Sequence, residues 1–186
     1  MTKIILFNKP CGVISQFSTS PPHQSLKDYI PVTGVYPAGR LDTDSEGLMI
    51  LTDNGKLQAQ ISEPRYNKTK TYWVQVDGLV NDLQIQQLSS GVAIDNYISK
   101  PALVSIIDEP VLWGRIPPIR CRKNIPTTWL SIAISEGKNR QIRRMTARVG
   151  LPTLRLVRVA IGGVTLSGLP SGQYLEITQQ QFLAQF

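Results

Sequence analysis

Short apolar runs, each closed by a turn signal, set the rhythm of this chain. Ile4 to Phe7 runs into Asn8-Lys9-Pro10 and Gly12, which predicts a strand followed by a turn. Ser15 to Gln24 is polar and holds Pro21-Pro22, the composition of a loop. Leu48 to Leu51 predicts a buried strand. Asp53-Asn54-Gly55 then turns the chain, and Leu57 and Ile61, four apart, start a short helix. Tyr72, Val74 and Val76 alternate with Trp73, Gln75 and Asp77, which predicts a strand with two chemically different faces, ended by Gly78. Asn81 can cap a helix through about Ser89, with Gly91 as its stop. Pro101 to Ile107 and Trp129 to Ser135 read as further strands. Asn139 to Val149 predicts a helix, with Asn139 as N-cap and Gly150 and Pro152 as the stop. Thr153 to Ile161 returns as a strand into the Gly162-Gly163 turn. Ser167 to Gly172 is a loop, Gln173 to Ile177 a strand, and Thr178 can cap a short terminal helix.

Strands and helices are interspersed without a regular βαβ rhythm, so the class is α+β. There are no repeats, and no linker is polar or long enough to separate two independent domains. The expected organisation is one domain over residues 1–186. One segment stands apart: Glu109 to Pro126 holds four prolines with Arg115, Arg120, Arg122 and Lys123. It predicts an irregular basic loop carrying Trp113.

Charge sharpens that picture. Twenty Lys and Arg against thirteen Asp and Glu leave a net charge of +7 over 186 residues. Between Val111 and Ala160 there are eleven Lys or Arg and a single acid, Glu136. One face is therefore expected to be strongly positive, as binding to a phosphate backbone requires. Cys11 and Cys121 have neither metal-like nor disulfide-framework spacing and read as free thiols in a reducing compartment. No signal-peptide pattern opens the chain, and no segment approaches the ~20 apolar residues of a membrane span. The expected location is the cytoplasm.

The chemistry on offer is narrow. His23 is the only histidine and lies in a polar, Pro-rich stretch, so it reads as a surface residue. No Cys/His cluster suits zinc, and no Gly-rich loop has nucleotide-binding spacing. Catalysis would fall to carboxylates, tyrosines and arginines, with no metal or cofactor. Gly39-Arg40-Leu41-Asp42-Thr43-Asp44-Ser45-Glu46-Gly47-Leu48 places an arginine and a carboxylate two apart between glycines. Asp42 could be a nucleophile or base if it is held ionised, or simply the cap of a turn. In the helix from Asn139, Ile142, Met145, Thr146 and Val149 share one side at ~100° per residue, and Arg140, Arg144 and Arg148 share the other. Those three repel one another unless phosphate lies alongside. Arg143 falls at the boundary, where a half-buried guanidinium suits a buried carboxylate.

Four blocks taken in order carry a resemblance. They are Asn8-Lys9-Pro10-Cys11-Gly12, the Gly-Arg-Leu-Asp motif at 39–42, Lys70-Thr71-Tyr72-Trp73-Val74, and Glu136-Gly137-Lys138-Asn139-Arg140-Gln141-Ile142-Arg143-Arg144-Met145. The chain resembles the pseudouridine synthases of the ribosomal small-subunit/large-subunit type, from about Ile4 to Leu166. The resemblance implies a mostly antiparallel mixed sheet in two lobes with flanking helices and an active-site cleft between them. It implies Asp42 as catalytic nucleophile and Arg40 as the residue that helps displace the extruded base. Tyr72 would lie against the uracil, its hydroxyl assisting proton removal from C5. Arg143 would pair with Asp42, and Leu156, in Leu156-Val157-Arg158-Val159-Ala160-Ile161-Gly162, would wall the pocket. Lys9 and Pro10 would be structural. Many relatives carry a small RNA-binding module ahead of the Lys-Pro motif, whereas eight residues precede Lys9 here. The expected kin are therefore the stand-alone members acting on large-subunit (23S) ribosomal RNA, and the expected state is a monomer. RNA would be held by the Ser15–Gln24 loop, by Arg140 and Arg144, and by Arg120, Arg122 and Lys123 of the basic loop. Two rivals compete: a non-catalytic RNA-binding module, and the same isomerase acting on transfer RNA.

Overall fold

The computed structural model describes residues 2–120 and 125–186. Its strands are β1 (Ile4–Lys9), β2 (Tyr36–Pro37), β3 (Glu46–Thr52), β4 (Lys70–Asp77), β5 (Ala93–Ile94), β6 (Tyr97–Ile98), β7 (Leu103–Ile107), β8 (Thr127–Ile134), β9 (Thr153–Ile161), β10 (Val164–Thr165) and β11 (Tyr174–Ile177). The helices are α1 (Gly55–Ser62), α2 (Asp82–Ser90), α3 (Gln141–Arg148) and α4 (Gln179–Leu183). One sheet runs in the order β11-β1-β3-β9-β4-β8-β7, with β2 on β3 and β10 on β9. Every pairing in it is antiparallel except β3 with β9. This is the α+β mixed sheet expected from the chain.

The two halves of the sheet meet at that parallel pairing, which is only two residues long: Glu46 opposite Val157 and Gly47 opposite Arg158. The lobes are thus halves of one continuous sheet. Gly47 has φ +104, and a Cβ there would lie 2.3 Å from the Arg158 carbonyl oxygen. Only glycine lets the strands approach so closely.

Strands β1 and β3 are buried along their whole length because both faces are covered. Ile5, Phe7, Met49 and Leu51 join the large core that also holds Tyr72, Val74 and Leu156 of the other half. Ile4, Leu6, Leu48 and Ile50 face a second core built from Leu57 and Ile61 of α1 and Phe182 of α4. The helices start where the polar residues indicate. The Asn54 side chain accepts from the backbone N–H of Lys56 and Leu57, and Asn81 with Gln84, like Thr178 with Gln181, forms a capping box.

The α3 boundary differs from expectation. The residue before the helix is Arg140, in a left-handed conformation at φ 49, and not Asn139. The Gln141 side chain replaces a cap. Its Oε1 accepts from the Lys138 N–H at 3.1 Å, and its Nε2 donates to Glu136 at 2.6 Å. On the far side of β4 and β9, residues of the irregular segment 109–119 lie beside Gln75, Trp129 and Arg155, and buried Gln75 donates to the Thr127 hydroxyl at 3.1 Å. Among the described residues no helix is long and apolar enough to cross a membrane.

Candidate active site

Asp42 lies in the tight turn leading into β3, where Ser45 N–H donates to the Asp42 carbonyl at 3.0 Å. The N-terminal loop clamps this turn on both sides. Ser15 Oγ donates to the Leu41 carbonyl at 2.6 Å and accepts from the Leu41 N–H at 3.0 Å. Gly12 N–H donates to the Thr43 carbonyl at 2.8 Å, with the Lys9 ammonium 3.5 Å from the same oxygen. Lys9 is fully buried and donates to the carbonyls of Val13 and Pro10 at 2.7 and 2.9 Å. The structural part expected of Lys9 has this physical content: its charge is spread over carbonyls that tie two loops together. Burial lowers its pKa to about 8.

Beside the turn is a cavity of about 280 Å³ lined by Arg40, Asp42, Lys70, Tyr72, Leu156 and Arg158, among others. The sheet register explains the grouping. Tyr72 is opposite Arg158 and Val74 opposite Leu156, so Lys70, Tyr72, Leu156 and Arg158 project from one face of β4 and β9. A wider groove of about 670 Å³ adjoins it, also lined by Arg40 and Asp42 and reaching His23 and Arg115. Arg40 is exposed at the rim common to both. The geometry thus brings together Asp42, Arg40, Tyr72 and Leu156.

Arg143 is placed differently. Its Nη2 donates to the Asp44 carbonyl at 3.0 Å and lies 3.4 Å from the Asp44 carboxylate. Arg140 grips the same carboxylate with two bonds of 3.1 and 3.0 Å and comes within 3.7 Å of Asp42. Asp44, two residues on, is therefore the direct partner of Arg143, and among the described residues Arg140 is the cation within ion-pair distance of Asp42. Burial pushes the Asp44 pKa up, but the Arg140 hydrogen bonds and the charges of Arg143 and Arg140 outweigh it, and the net shift is down. Arg143 is shifted down by its own burial.

The arginine stripe is also less free than its spacing indicates. Arg140 is held by Asp44 and Arg144 by Asp95, so carboxylates from other elements supply part of the compensation expected from phosphate. Arg148 and Arg120 are exposed; Arg122, Lys123 and Cys121 lie outside the described residues.

Two features escaped the sequence reading. Glu46, only 1% exposed, receives a fork from Arg155 at 3.0 and 2.9 Å and the Trp113 indole N–H at 2.8 Å, with Arg115 3.6 Å away. This buried cluster pins the basic loop to the start of β3. Arg158 is the second: 2% exposed, yet on the cavity wall. No pattern in the sequence pairs Glu46 with Arg155, 109 residues away, but the buried run beginning at Leu48 could have been extended back through Gly47.

Comparisons with known proteins agree with this geometry. The pattern of the RNA pseudouridylate synthase family matches residues 3–148, which contain Asp42 and Tyr72. The ribosomal large subunit pseudouridine synthase E of Vibrio parahaemolyticus is 54% identical over 175 residues, covering 94% of this chain and 74% of the relative. Its namesake in Xanthomonas campestris pv. campestris is 51% identical, covering 92% of this chain and 93% of the relative. A crystal structure described as a pseudouridylate synthase superimposes on the whole chain and on 74% of its own, with TM-score 0.82 at 26% identity. A mixed sheet with a carboxylate turn and a tyrosine in one cavity thus belongs to a known class of RNA-modifying isomerase. The chain is a member of the RNA pseudouridylate synthase family.

Proposed function

We propose that this enzyme converts a uridine of large-subunit (23S) ribosomal RNA to pseudouridine, with Asp42 as nucleophile. The observation that carries the reading is the shared cavity: a carboxylate on a clamped turn, with a tyrosine and a leucine, lines one space of about 280 Å³. The large-subunit target is supported by the names of the relatives more than half identical to it. In the reaction the N1–C1′ bond breaks, the base turns while held, and a C5–C1′ bond forms. A proton leaves C5 and one is gained at N1, so the formula is unchanged. Asp42 adds covalently to the nucleotide. Tyr72 lies against the base, its hydroxyl placed to assist removal of the C5 proton, and Leu156 walls the pocket. Arg40, at the rim, occupies the place of the extruded base. Arg143 acts through Asp44, fixing the far end of the turn. No cofactor enters the scheme. We place the enzyme in the cytoplasm, acting as a monomer on one domain's worth of chain.

The test is release of tritium from C5-labelled uridine in ribosomal RNA, paired with mapping of modified uridines in a deletion strain. Release with loss of a 23S pseudouridine in the strain is the expected result. RNA binding without release would make this a binding module, and loss confined to transfer RNA would move the substrate.

A further inference from the structure

The cavity holds a cation that the reading above does not use. Arg158 is 2% exposed, and its Nε donates to the Leu48 carbonyl at 2.8 Å. Its Nη2 is buried with no hydrogen-bond partner. Arg155 is satisfied by Glu46 and Lys9 by three carbonyls; Arg115 and Arg143 each leave an Nε without a hydrogen-bond partner, but each has a carboxylate nearby, Glu46 at 3.6 Å and Asp44 at 3.4 Å. Among the described residues no carboxylate lies within ion-pair distance of Arg158. An unpaired buried guanidinium is costly and calls for an acceptor or an anion. Lys70 lines the same cavity from the same face, donating to the Lys68 carbonyl at 3.1 Å. Its pKa is lowered by burial and then by the charge of Arg158, a sign that the two cations feel each other. The lining carries one carboxylate, Asp42, and five cations; Arg140 is held by Asp44 and Lys138 lies over the Tyr97 ring, while Lys70 and Arg158 share one face of the sheet with no carboxylate partner among the described residues.

The chemistry at that cavity creates a matching charge. When the N1–C1′ bond breaks, its electron pair stays on the base, and the detached uracil carries a negative charge shared among N1, O2 and O4. This is the case when Asp42 bonds to the sugar, which leaves the C5=C6 double bond, and with it the conjugation from N1 to O4, intact. Once the carboxylate is bonded to the sugar, its own charge is gone, and Lys70 and Arg158 face a cavity with no other carboxylate in its lining. We infer that Arg158, assisted by Lys70, is a further catalytic residue, which binds the carbonyl oxygen of the detached uracil anion and stabilises the charge formed on cleavage. Donors aimed at charge that appears only during reaction contribute to rate more than to binding. The anion then re-forms a bond to C1′ from C5, and the charge is discharged as C5 loses its proton and N1 gains one.

This inference rests on the isomerase reading. The experiment compares two RNAs under single-turnover conditions, one with uridine and one with 5-fluorouridine at the target position, and follows loss of the N-linked nucleotide. Fluorine acidifies the base, so its anion needs less help from the protein. Arg158→Gln should slow the uridine RNA by about a hundredfold, and the 5-fluorouridine RNA by roughly tenfold less than that. Arg158→Lys should recover much of the uridine rate. Because Arg158 also holds the Leu48 carbonyl, its Gln variant can lose folded protein. The ratio of the two rates within one preparation is independent of the folded fraction, and Lys70→Gln repeats the comparison at a second cation. Equal slowing of both RNAs in both variants would assign Arg158 and Lys70 to structure and overturn the inference alone. A wild-type protein that converts neither RNA would overturn the isomerase reading and this inference with it.

Discussion

Asp42 is placed by a set of hydrogen bonds and charges drawn from two loops and the residues at the start of α3. Ser15, Gly12 and Lys9 hold the carbonyls on either side of it, and Asp44 is drawn down by two arginines. The sequence motif marked Asp42, Arg40, Tyr72 and Leu156 because each belongs to a short local pattern. It could not mark Asp44, because its partners, Arg140 just before α3 and Arg143 within it, come nearly a hundred residues later, and any of three neighbouring polar residues could have taken that place. Asp42→Asn should lower tritium release by at least about 10³-fold, as loss of a nucleophile does. RNA affinity should stay within a few-fold, and a variant within tenfold of wild-type turnover would end the assignment. Lys9 offers a test by pH. In the unfolded chain its pKa returns to near 10.4, whereas burial holds it at about 8 in the fold. Between those values the unfolded state binds more protons, so stability rises with pH. Below pH 8 both states are protonated and the dependence vanishes. Urea midpoints of wild type and Lys9→Met, measured from pH 7 to 10, should therefore show wild type gaining on the variant only above about pH 8. A constant difference would show that Lys9 is not desolvated.

Elements with strong local signals were legible, and their ends were not. The α1, α2 and α4 starts follow from Asn54, Asn81 and Thr178, whose side chains meet donors within three residues. The α3 start was misplaced because Gln141, reaching back to Lys138 and across to Glu136, satisfies the groups that Asn139 was expected to serve. Similarly β3 begins two residues before the apolar run, since Glu46 is buried by arginine and indole partners that a local pattern cannot contain. The seam beside it is a parallel pairing only two residues long. Gly47→Ala would set a Cβ against the Arg158 carbonyl in a left-handed backbone conformation, with backbone and not a flexible side chain in the way. It should lower stability by more than about 2 kcal/mol. Gly137→Ala, where a Cβ meets nothing within 4 Å, is the control and should change stability by less than ~0.5 kcal/mol. Comparable urea midpoints for the two variants would mean that the β3–β9 approach is looser than described.

At the scale of the whole molecule, the excess of positive charge was plain in the sequence, but its availability was not. Counting eleven basic residues against one acid between Val111 and Ala160 ignores the carboxylates that the fold brings from elsewhere. Asp44, Asp95 and Glu46 all precede that stretch, and they engage Arg140, Arg144 and Arg155. A guanidinium already paired displaces fewer counterions from RNA than a free one. Arg40 is exposed at the rim of both cavities, and among the described residues none pairs with it. The two kinds of arginine should separate in a salt series. Each phosphate contact on single-stranded RNA contributes about −0.7 to the slope of log affinity against log salt. Arg40→Gln should reduce the slope by about that amount if the guanidinium lies on the backbone near the extruded nucleotide. Arg140→Gln with Arg144→Gln should reduce it by less than ~0.7 for the pair, because Asp44 and Asp95 already offset both charges. Conversely, Asp95→Asn releases Arg144 and should steepen the slope. Binding of a ribosomal RNA fragment from low to high salt measures all three. A loss of about 1.4 units in the double variant would show that RNA displaces the carboxylates and takes over both arginines, restoring the phosphate stripe that the spacing of α3 first indicated.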